Sequence, residues 1–205
     1  MYIPSFNKFE DRQQAIAFMQ RYSFATIISV KDGLPVATHL PFLVQQKEDK
    51  IILSSHFAKA NPQSEDIINN TALVIFTEPH AYISPKNYEK EQNVPTWNYL
   101  AVHAYGKCTL LDGEENKASL LKETIKYYDA AYLKQWDNLT DDYKQKMMKG
   151  ITAFQMVVDD LQAKAKLSQN RTEKERENVI NSLTNAGNAN EKAIADYMSA
   201  LNIKH

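Results

Sequence analysis

The chain has 205 residues, a formal net charge of -1, 43% hydrophobic residues and 24% charged residues, values typical of a globular protein with one domain, or one domain and an appendage. The balance of charges provides no overall basic excess, so any contact with nucleic acid would need a local basic patch. A single cysteine, Cys108, excludes an internal disulfide and a cysteine-cluster metal site.

No apolar run approaches the roughly 20 residues that a membrane-spanning helix needs. The first nine residues lack the basic start and apolar block of a signal peptide. We therefore expect no membrane partner and a cytoplasmic location.

The first third of the chain predicts one helix and three strands. The helix is expected to begin near Asp11, because apolar residues then recur at helical spacing. The apolar runs that predict strands are 24–30, 35–44 and 50–55. Asp32-Gly33 lies between the first two runs and predicts a tight hairpin, since glycine accepts a positive φ. Pro41 cannot donate a ladder hydrogen bond, which places its strand at a sheet edge or a bulge.

The remainder predicts further strands with helices between and after them. Asn61-Pro62 is typical of a helix start, and a short helix is expected to reach about Asn69. The strands are expected at 71–77, 100–111 and 151–158, and the helices at 114–128 and 141–149. Two more helices are expected beyond Arg171, separated around Gly187.

The strands follow one another as hairpins and do not alternate regularly with helices, a pattern that argues against a doubly wound parallel sheet. We predict an α+β, mainly β protein: an antiparallel barrel with inserted helices and a C-terminal helical pair. The barrel domain is expected over residues 1–170. Residues 171–205 are expected to form a helical extension that packs on it.

The sequence contains no glycine-rich phosphate loop, no nucleophile elbow and no HExxH motif. The five histidines lie far apart, so a metal site would need tertiary assembly. We predict no catalytic residue and no metal ligand from motifs alone.

Two segments in the first half of the chain each permit two interpretations. In Ala37–Phe42, His39 and Pro41 interrupt an apolar strand. This is either a core histidine beside an edge proline or a strand whose backbone faces a flat ligand. In Ser54–Pro62, two hydroxyls, an imidazole and an ammonium precede a helix start. They form either a phosphate cradle or a capped polar loop.

Two later segments are equally ambiguous. Val94–Tyr99 places aromatic rings beside an amide, which suits either the covering of a planar heterocycle or the filling of a core. Lys166–Arg171 is a dense set of hydrogen-bond donors before a helix. It is either a binding segment or a solvated loop with a helix cap.

Taken together and in this order, these segments resemble the PaiB-type family, FMN-binding negative transcriptional regulators built on a flavin-reductase-like split barrel. The resemblance extends from Met1 to at least Arg171 and includes the stretches 1–4, 37–42, 56–63, 80–85, 95–99 and 166–171. The family usually has arginine where this chain has Lys59. Lysine keeps the charge but loses the planar fork that suits phosphate.

The resemblance implies a homodimer that binds two FMN molecules at the subunit interface. The residues implied to line the edge of the flavin ring are Thr38, His39 and Leu40. Those implied to hold the phosphate are Ser55, His56, Lys59 and Asn61. Those implied to close over the ring from the partner subunit are Trp97 and Asn98, and those implied to approach from the C-terminal side are Lys166, Gln169, Asn170 and Arg171.

The family name implies gene repression, and the helices around Gly187 are the best candidate for a helix-turn-helix. Residues 189–201 carry only Lys192 as a cation, against Glu191 and Asp196, whereas recognition helices supply several contacts to bases. We therefore expect packing helices, weak support for direct DNA binding, and a regulator that senses flavin or redox state.

Two alternatives stay open. An FMN-dependent oxidoreductase of the same fold would use the flavin for its chemistry. A haem-handling protein would use a histidine, His103 or His205, as the axial ligand.

Overall fold

The computed structural model describes residues 1–9 and 11–201, and this part of the chain contains seven strands and seven α-helices. The strands are β1 (Phe24–Lys31), β2 (Leu34–Pro41), β3 (Leu43–Lys47), β4 (Lys50–Ala58), β5 (Thr71–Ile83), β6 (Thr96–Leu110) and β7 (Ile151–Lys166). The helices are α1 (Arg12–Arg21), α2 (Gln63–Asp66), α3 (Glu114–Tyr128), α4 (Leu133–Asn138), α5 (Asp141–Lys149), α6 (Glu173–Thr184) and α7 (Ala189–Ser199). The predicted class, mainly antiparallel β with helices, is confirmed.

The strands form one sheet in the order β2-β1-β5-β6-β7-β4-β3. β2 therefore lies at an edge, as Pro41 predicted. β1 and β2 pair in register from Phe24–Pro41 to Lys31–Leu34. Asp32 and Gly33 both have positive φ in the intervening turn, which is the backbone that a two-residue hairpin requires.

The short connection between β2 and β3 requires the sheet to curl. Phe42 alone connects β2 with β3, yet these strands are the two ends of the sheet order. Because consecutive Cα atoms are about 3.8 Å apart, Pro41 and Leu43 lie within about 7.6 Å of each other. The two edges therefore converge at this corner. The Ser55 hydroxyl on β4 donates a hydrogen bond to the Pro41 carbonyl at 2.7 Å and holds the edges together.

The chain divides into two compact units. Unit 1 comprises the described residues of Met1–Ala15, Thr77–Val102 and Gln162–His205, and unit 2 comprises Ile16–Phe76 and His103–Leu161. β5, β6 and β7 contribute residues to both. The predicted boundary between residues 170 and 171 stays a prediction.

Each unit has its own buried apolar side chains. In unit 2 the Phe42 ring makes edge contacts with Phe76 and Phe154, and Phe154 stacks on Phe57 at 5.1 Å between centroids. In unit 1, α6 and α7 are packed together and bury five apolar side chains: Val179, Leu183, Ile194, Ala195 and Met198. This burial agrees with the interpretation of α6 and α7 as packing helices.

Several predicted boundaries were wrong. β5 continues to Ile83, β6 begins at Thr96 and β7 continues to Lys166, whereas α2 ends at Asp66. The helix α4 was not predicted. None of the helices in the described residues is both long and apolar enough to cross a membrane.

Candidate functional site

A polar cluster in unit 2 joins β2 to the start of α2. The Asn61 amide donates to the Thr38 hydroxyl at 3.1 Å, and the Thr38 hydroxyl donates to Gln63 Oε1 at 2.6 Å. The Asn61 side-chain oxygen in turn accepts from the Gln63 backbone N–H at 3.0 Å. Two predicted residues, Thr38 and Asn61, are thus brought into direct contact.

Gln63 anchors this cluster, although it was not predicted as a site residue. Its side chain is fully buried, and its amide nitrogen lies 3.0 Å from the Val36 carbonyl and 3.1 Å from the Ser29 hydroxyl. The amide therefore ties α2 to the hairpin of β1 and β2. No local sequence pattern predicts this role, because Gln63 is buried by residues that lie far from it in the sequence.

The edge strand β2 presents the three residues predicted to meet the flavin ring. Thr38 and Leu40 share one face and His39 lies on the other, because strand side chains alternate. Leu40 is buried and His39 is exposed, with its Nδ1 2.8 Å from the Thr26 hydroxyl. β2 pairs with β1 on one side, and no second strand among the described residues pairs with its other side. That backbone edge offers hydrogen-bonding groups to a ligand.

The four residues predicted to bind phosphate differ in their availability. Ser55 and His56 are consecutive on β4 and project to opposite faces. The Ser55 hydroxyl is committed to the Pro41 carbonyl, and the Asn61 side chain is committed to Thr38 and Gln63. His56 is half-buried and Lys59 is exposed. Within the described part of the chain, the side chains of these last two residues have no hydrogen-bond partner.

Burial lowers the pKa of His56 below its usual value of 6.5. The imidazole is therefore neutral at pH 7 and carries one N–H donor. Lys59 supplies the positive charge, on a loop whose backbone N–H is fixed by the Gly150 carbonyl at 2.8 Å.

Unit 1 contains a cavity of about 350 Å³. Its lining includes three cations, Lys164, Lys166 and Arg171, and no acidic side chain. Aromatic and apolar groups form much of the remaining wall: Tyr2, Pro4, Phe6, Tyr88, Val94 and Pro95. The predicted residues Asn98 and Asn170 also line it.

Two of the cations are held through their ammonium groups. Lys166 Nζ donates to the Thr96 hydroxyl and to the Trp97 carbonyl, both at 2.5 Å. Lys164 is 8% exposed and donates to the Tyr2 carbonyl at 3.2 Å. Burial lowers the pKa of Lys166, and the positive charges of Lys164 and Arg171 lower it further.

Arg171 is held against Tyr88. Its guanidinium lies 3.8 Å from the centroid of the Tyr88 ring and donates to Asn93 Oδ1 at 2.8 Å. Its nearest carboxylate oxygen, on Glu175, is 3.8 Å away. Burial raises the pKa of the Tyr88 hydroxyl, and the nearby guanidinium partly offsets this effect. That oxygen is buried and has no hydrogen-bond partner among the described residues.

The segment after β7 shapes the cavity wall. Ser168 has a φ of 61°, in the left-handed region, and its hydroxyl lies 3.0 Å from the Asn98 amide. The Gln169 side chain accepts from the Leu167 N–H at 2.7 Å and donates to the Ala165 carbonyl at 2.5 Å. Asn98 and Gln169 thus use their side chains to fix the turn.

Trp97 belongs to an exposed aromatic patch in unit 1. Its side chain is 51% exposed, and its ring lies 5.8 Å from the rings of both His80 and Tyr82. Asn98, the next residue, is 1% exposed. The alternation of a strand therefore directs Trp97 and Asn98 to opposite faces.

His103, one of the two histidines considered for haem, lies on β6. Burial lowers its pKa, and its buried Nδ1 has no hydrogen-bond partner among the described residues. His205 lies outside the described residues. A haem ligand at either position stays a prediction.

The family model described as "Putative FMN-binding domain" matches residues 1–160. The chain is 42% identical, over 97% of its length and 96% of the relative, to the protease synthase and sporulation protein PAI 2 of Bacillus subtilis (strain 168). The chain belongs to this FMN-binding family, and the predicted membership and the predicted cofactor, FMN, are confirmed.

Solved structures show the same fold at low sequence identity. An FAD and haem binding protein from Mycobacterium smegmatis matches 78% of this chain and 73% of its own, with a TM-score of 0.60 and 16% identity. A flavocytochrome from Azotobacter vinelandii matches 76% of this chain and 67% of its own, with a TM-score of 0.59 and 14% identity. The fold is therefore that of the split-barrel flavoproteins.

Proposed function

We propose that the protein binds FMN as a homodimer and acts as a negative transcriptional regulator that senses flavin or redox state. The observation that carries the proposal is the open edge of β2 beside the Thr38–Asn61–Gln63 cluster. The Val36 and Pro41 carbonyls of this strand accept from Gln63 and Ser55. The backbone groups between them, at residues 37–40, suit the polar rim of a flat ring. The PAI 2 name of the Bacillus subtilis relative supports the regulatory role.

The donors of unit 2 fit one phosphate group. Lys59 supplies a cation, and neutral His56 supplies a ring N–H, both without partners among the described residues. The side chains of Ser55 and Asn61 are already hydrogen-bonded within the protein. They hold the strand and loop around the phosphate site, and they could donate to a phosphate only after a rearrangement. We propose that Lys59 and His56 make the main phosphate contacts.

The remaining predicted residues belong to unit 1, and we propose that Trp97, Lys166, Asn170 and Arg171 face the flavin across the dimer interface. Asn98 and Gln169 hold the adjacent turn with their side chains. Trp97 lies in an exposed aromatic patch, which suits a ring that closes over a partner's cofactor. Lys166 and Arg171 supply positive charge, which stabilises a reduced flavin when it lies near the N1/O2 edge. Bound FMN would supply the electron-transfer chemistry, and these residues would orient and tune it.

Direct reading of DNA is not part of the proposal. α7 carries Lys192 as its one cation and also has Glu191 and Asp196, so it would repel phosphate more than attract it. We propose that regulation passes through a protein partner, in the cytoplasm.

A second candidate function is an FMN-dependent oxidoreductase. The cation-lined cavity of unit 1 favours it, because a reductase needs a site for its substrate. Turnover of NADH or NADPH by FMN-loaded protein would favour this candidate, and its absence would favour the regulator.

The test of FMN binding uses two opposite changes at Lys59, read by titration of flavin fluorescence. Lys59→Ala should weaken FMN binding by about tenfold, because a charge-assisted hydrogen bond to phosphate is lost. Lys59→Arg should strengthen it by a few-fold, because guanidinium binds phosphate through two parallel bonds. Lys47→Ala, at the exposed end of β3, should change nothing. Unchanged affinity in both Lys59 variants would remove this residue from the phosphate site.

A further inference from the structure

We propose that Gln63 is a positioning residue that couples the phosphate loop of the flavin site to the ring edge, and that it thereby sets the preference for FMN over riboflavin. The phosphate loop is the turn at residues 58–61, and the ring edge is the β2 backbone at residues 37–40. The family resemblance gives Gln63 no role. The placement of the flavin rests on the proposed function, whereas the coupling of the two segments rests on the protein's own hydrogen bonds.

The orientation of the Gln63 amide is fixed by its surroundings. Its nitrogen lies 3.0 Å from the Val36 carbonyl oxygen and 3.3 Å from the Ile27 carbonyl oxygen. Because a carbonyl can only accept, the NH2 group must face these two oxygens, and Oε1 must face Thr38. The amide therefore has this orientation before any ligand binds.

This orientation determines the direction of the next hydrogen bonds. The Thr38 hydroxyl has a single proton, which it donates to Gln63 Oε1 at 2.6 Å. Towards Asn61 the hydroxyl can then only accept, and the Asn61 amide nitrogen lies 3.1 Å away. The Asn61 side-chain oxygen accepts in turn from the Gln63 backbone N–H at 3.0 Å. The three residues thus form a closed ring of hydrogen bonds in which each donor has one fixed acceptor.

The ring of hydrogen bonds joins the segment for the phosphate to the segment for the flavin ring. Asn61 ends the phosphate loop, and its backbone N–H closes that turn on the Ala58 carbonyl at 2.9 Å. Lys59 is a central residue of the same turn. Thr38 belongs to the ring edge and is bonded to both Asn61 and Gln63. The position of Lys59 relative to the ring edge is therefore set through Gln63.

Burial strengthens this arrangement. Gln63 is fully buried, and the Ser29 hydroxyl, 3.1 Å from its amide nitrogen, belongs to a residue that is 1% exposed. Hydrogen bonds are stronger where the local dielectric is low, and the loss of one partner leaves the other unsatisfied. A ligand therefore meets a phosphate loop and a ring edge that are already in place, and its phosphate contributes to binding without first ordering the loop.

The experiment compares the dissociation constants of FMN and riboflavin, because riboflavin has the same ring and lacks the phosphate. Titration of flavin fluorescence measures both constants. The riboflavin constant divided by the FMN constant is the preference for FMN. We expect a preference of about a hundredfold in the parent chain, since hydrogen bonds to a charged phosphate are strong.

Gln63→Met removes the amide and keeps an unbranched side chain of similar length. It should decrease the preference for FMN by about fivefold or more, the size expected for groups coupled in one hydrogen-bond network. Leu120→Ala is the matched control, because it also removes buried contacts in unit 2 but lies on α3, outside this network. It should unfold at a lower urea concentration than the parent and keep the parent's preference.

A second pair of variants decides the question if Gln63→Met does not fold, which circular dichroism checks. Thr38→Val keeps the shape of the side chain, suits a strand and removes the hydroxyl between Gln63 and Asn61, so it should decrease the preference to a similar extent. Thr38→Ser keeps a hydroxyl and should restore most of the preference. A role of Thr38 limited to direct contact with the ring would weaken FMN and riboflavin equally and leave the preference unchanged.

Several results would overturn the coupling. They are a parent-like preference in folded Gln63→Met or in Thr38→Val, a preference in Thr38→Ser as low as in Thr38→Val, or an equal loss in Leu120→Ala, which would make the effect one of general stability. In each of these cases a parent chain that prefers FMN leaves the proposed phosphate site intact. Equal binding of FMN and riboflavin by the parent chain would overturn that site and the coupling together.

Discussion

Burial decides the chemistry of the single cysteine. Cys108 is 4% exposed on β6, and burial raises the pKa of its thiol to about 12. Since the thiolate is the reactive form, the native protein should react with a disulfide reagent such as DTNB at pH 8 far more slowly than the protein in guanidinium. The release of thionitrobenzoate measures both rates. Equal rates would show that the thiol is accessible.

Two partly buried histidines make the stability depend on pH. Burial lowers the pKa of His56 and of His103 below 6.5 in the folded chain. As the pH falls below 6.5, the unfolded state takes up protons on these residues before the folded state does, so the free energy of unfolding decreases. The decrease ends once the pH falls below the lowered folded values.

Urea unfolding at a series of pH values from 7.5 downwards measures this decrease. His56→Gln should show a smaller decrease than the parent, because one of the two histidines is absent. A free energy of unfolding that stays constant, or that increases, over this range would contradict the assignment of His56 as a buried neutral imidazole.

Single residues of the site were partly predictable from sequence. Lys166, Asn170 and Arg171 were found because they occur together as a dense donor segment, and they do line one cavity. Tyr88 and Lys164 were missed. Neither belongs to a local pattern, and their importance comes from packing between segments far apart in the chain. For the same reason the sequence could not show that Ser55 and Asn61 are already hydrogen-bonded.

Whole elements were predictable where local chemistry determines them. Asp32-Gly33 identified a hairpin, and the helices α3 and α5 were placed at their correct residues. The ends of the long strands were not. β7 continues past Asp159 and Asp160, two exposed charges that end the apolar pattern although the strand goes on. Pairing with neighbouring strands extends β7, and a local sequence window does not contain those neighbours.

The pairing of β6 with β7 depends on one glycine. A Cβ atom added to Gly106 would lie 2.0 Å from the Val157 carbonyl oxygen, a distance that only a backbone shift can relieve. Gly106→Ala should therefore lower the free energy of unfolding by about 2 kcal/mol or more. Gly187→Ala is the matched control, because no atom lies within 4 Å of its added Cβ.

Chemical denaturation of both glycine variants measures the two effects. A loss at Gly106→Ala with no change at Gly187→Ala is the expected result. Equal stability of the two variants would show that β6 and β7 are further apart than the structure places them.

On the scale of the whole molecule, the proposed dimer would bring the two candidate sites together, each from a different subunit. Unit 2 holds the edge strand and the phosphate donors, whereas unit 1 holds the aromatic patch around Trp97 and the cation-lined cavity. The split-barrel fold was predictable because the sequential hairpins and the family resemblance indicated the same architecture. The dimer was implied by the resemblance alone, and it stays a proposal.

Native mass spectrometry of the protein saturated with FMN tests the central claim most directly. It counts subunits and cofactors in one measurement. We expect a dimer that carries two FMN molecules. At the same FMN concentration, the Lys59→Ala variant should carry fewer FMN molecules per dimer. A monomer without FMN, at concentrations well above those used for the fluorescence titration, would contradict the account.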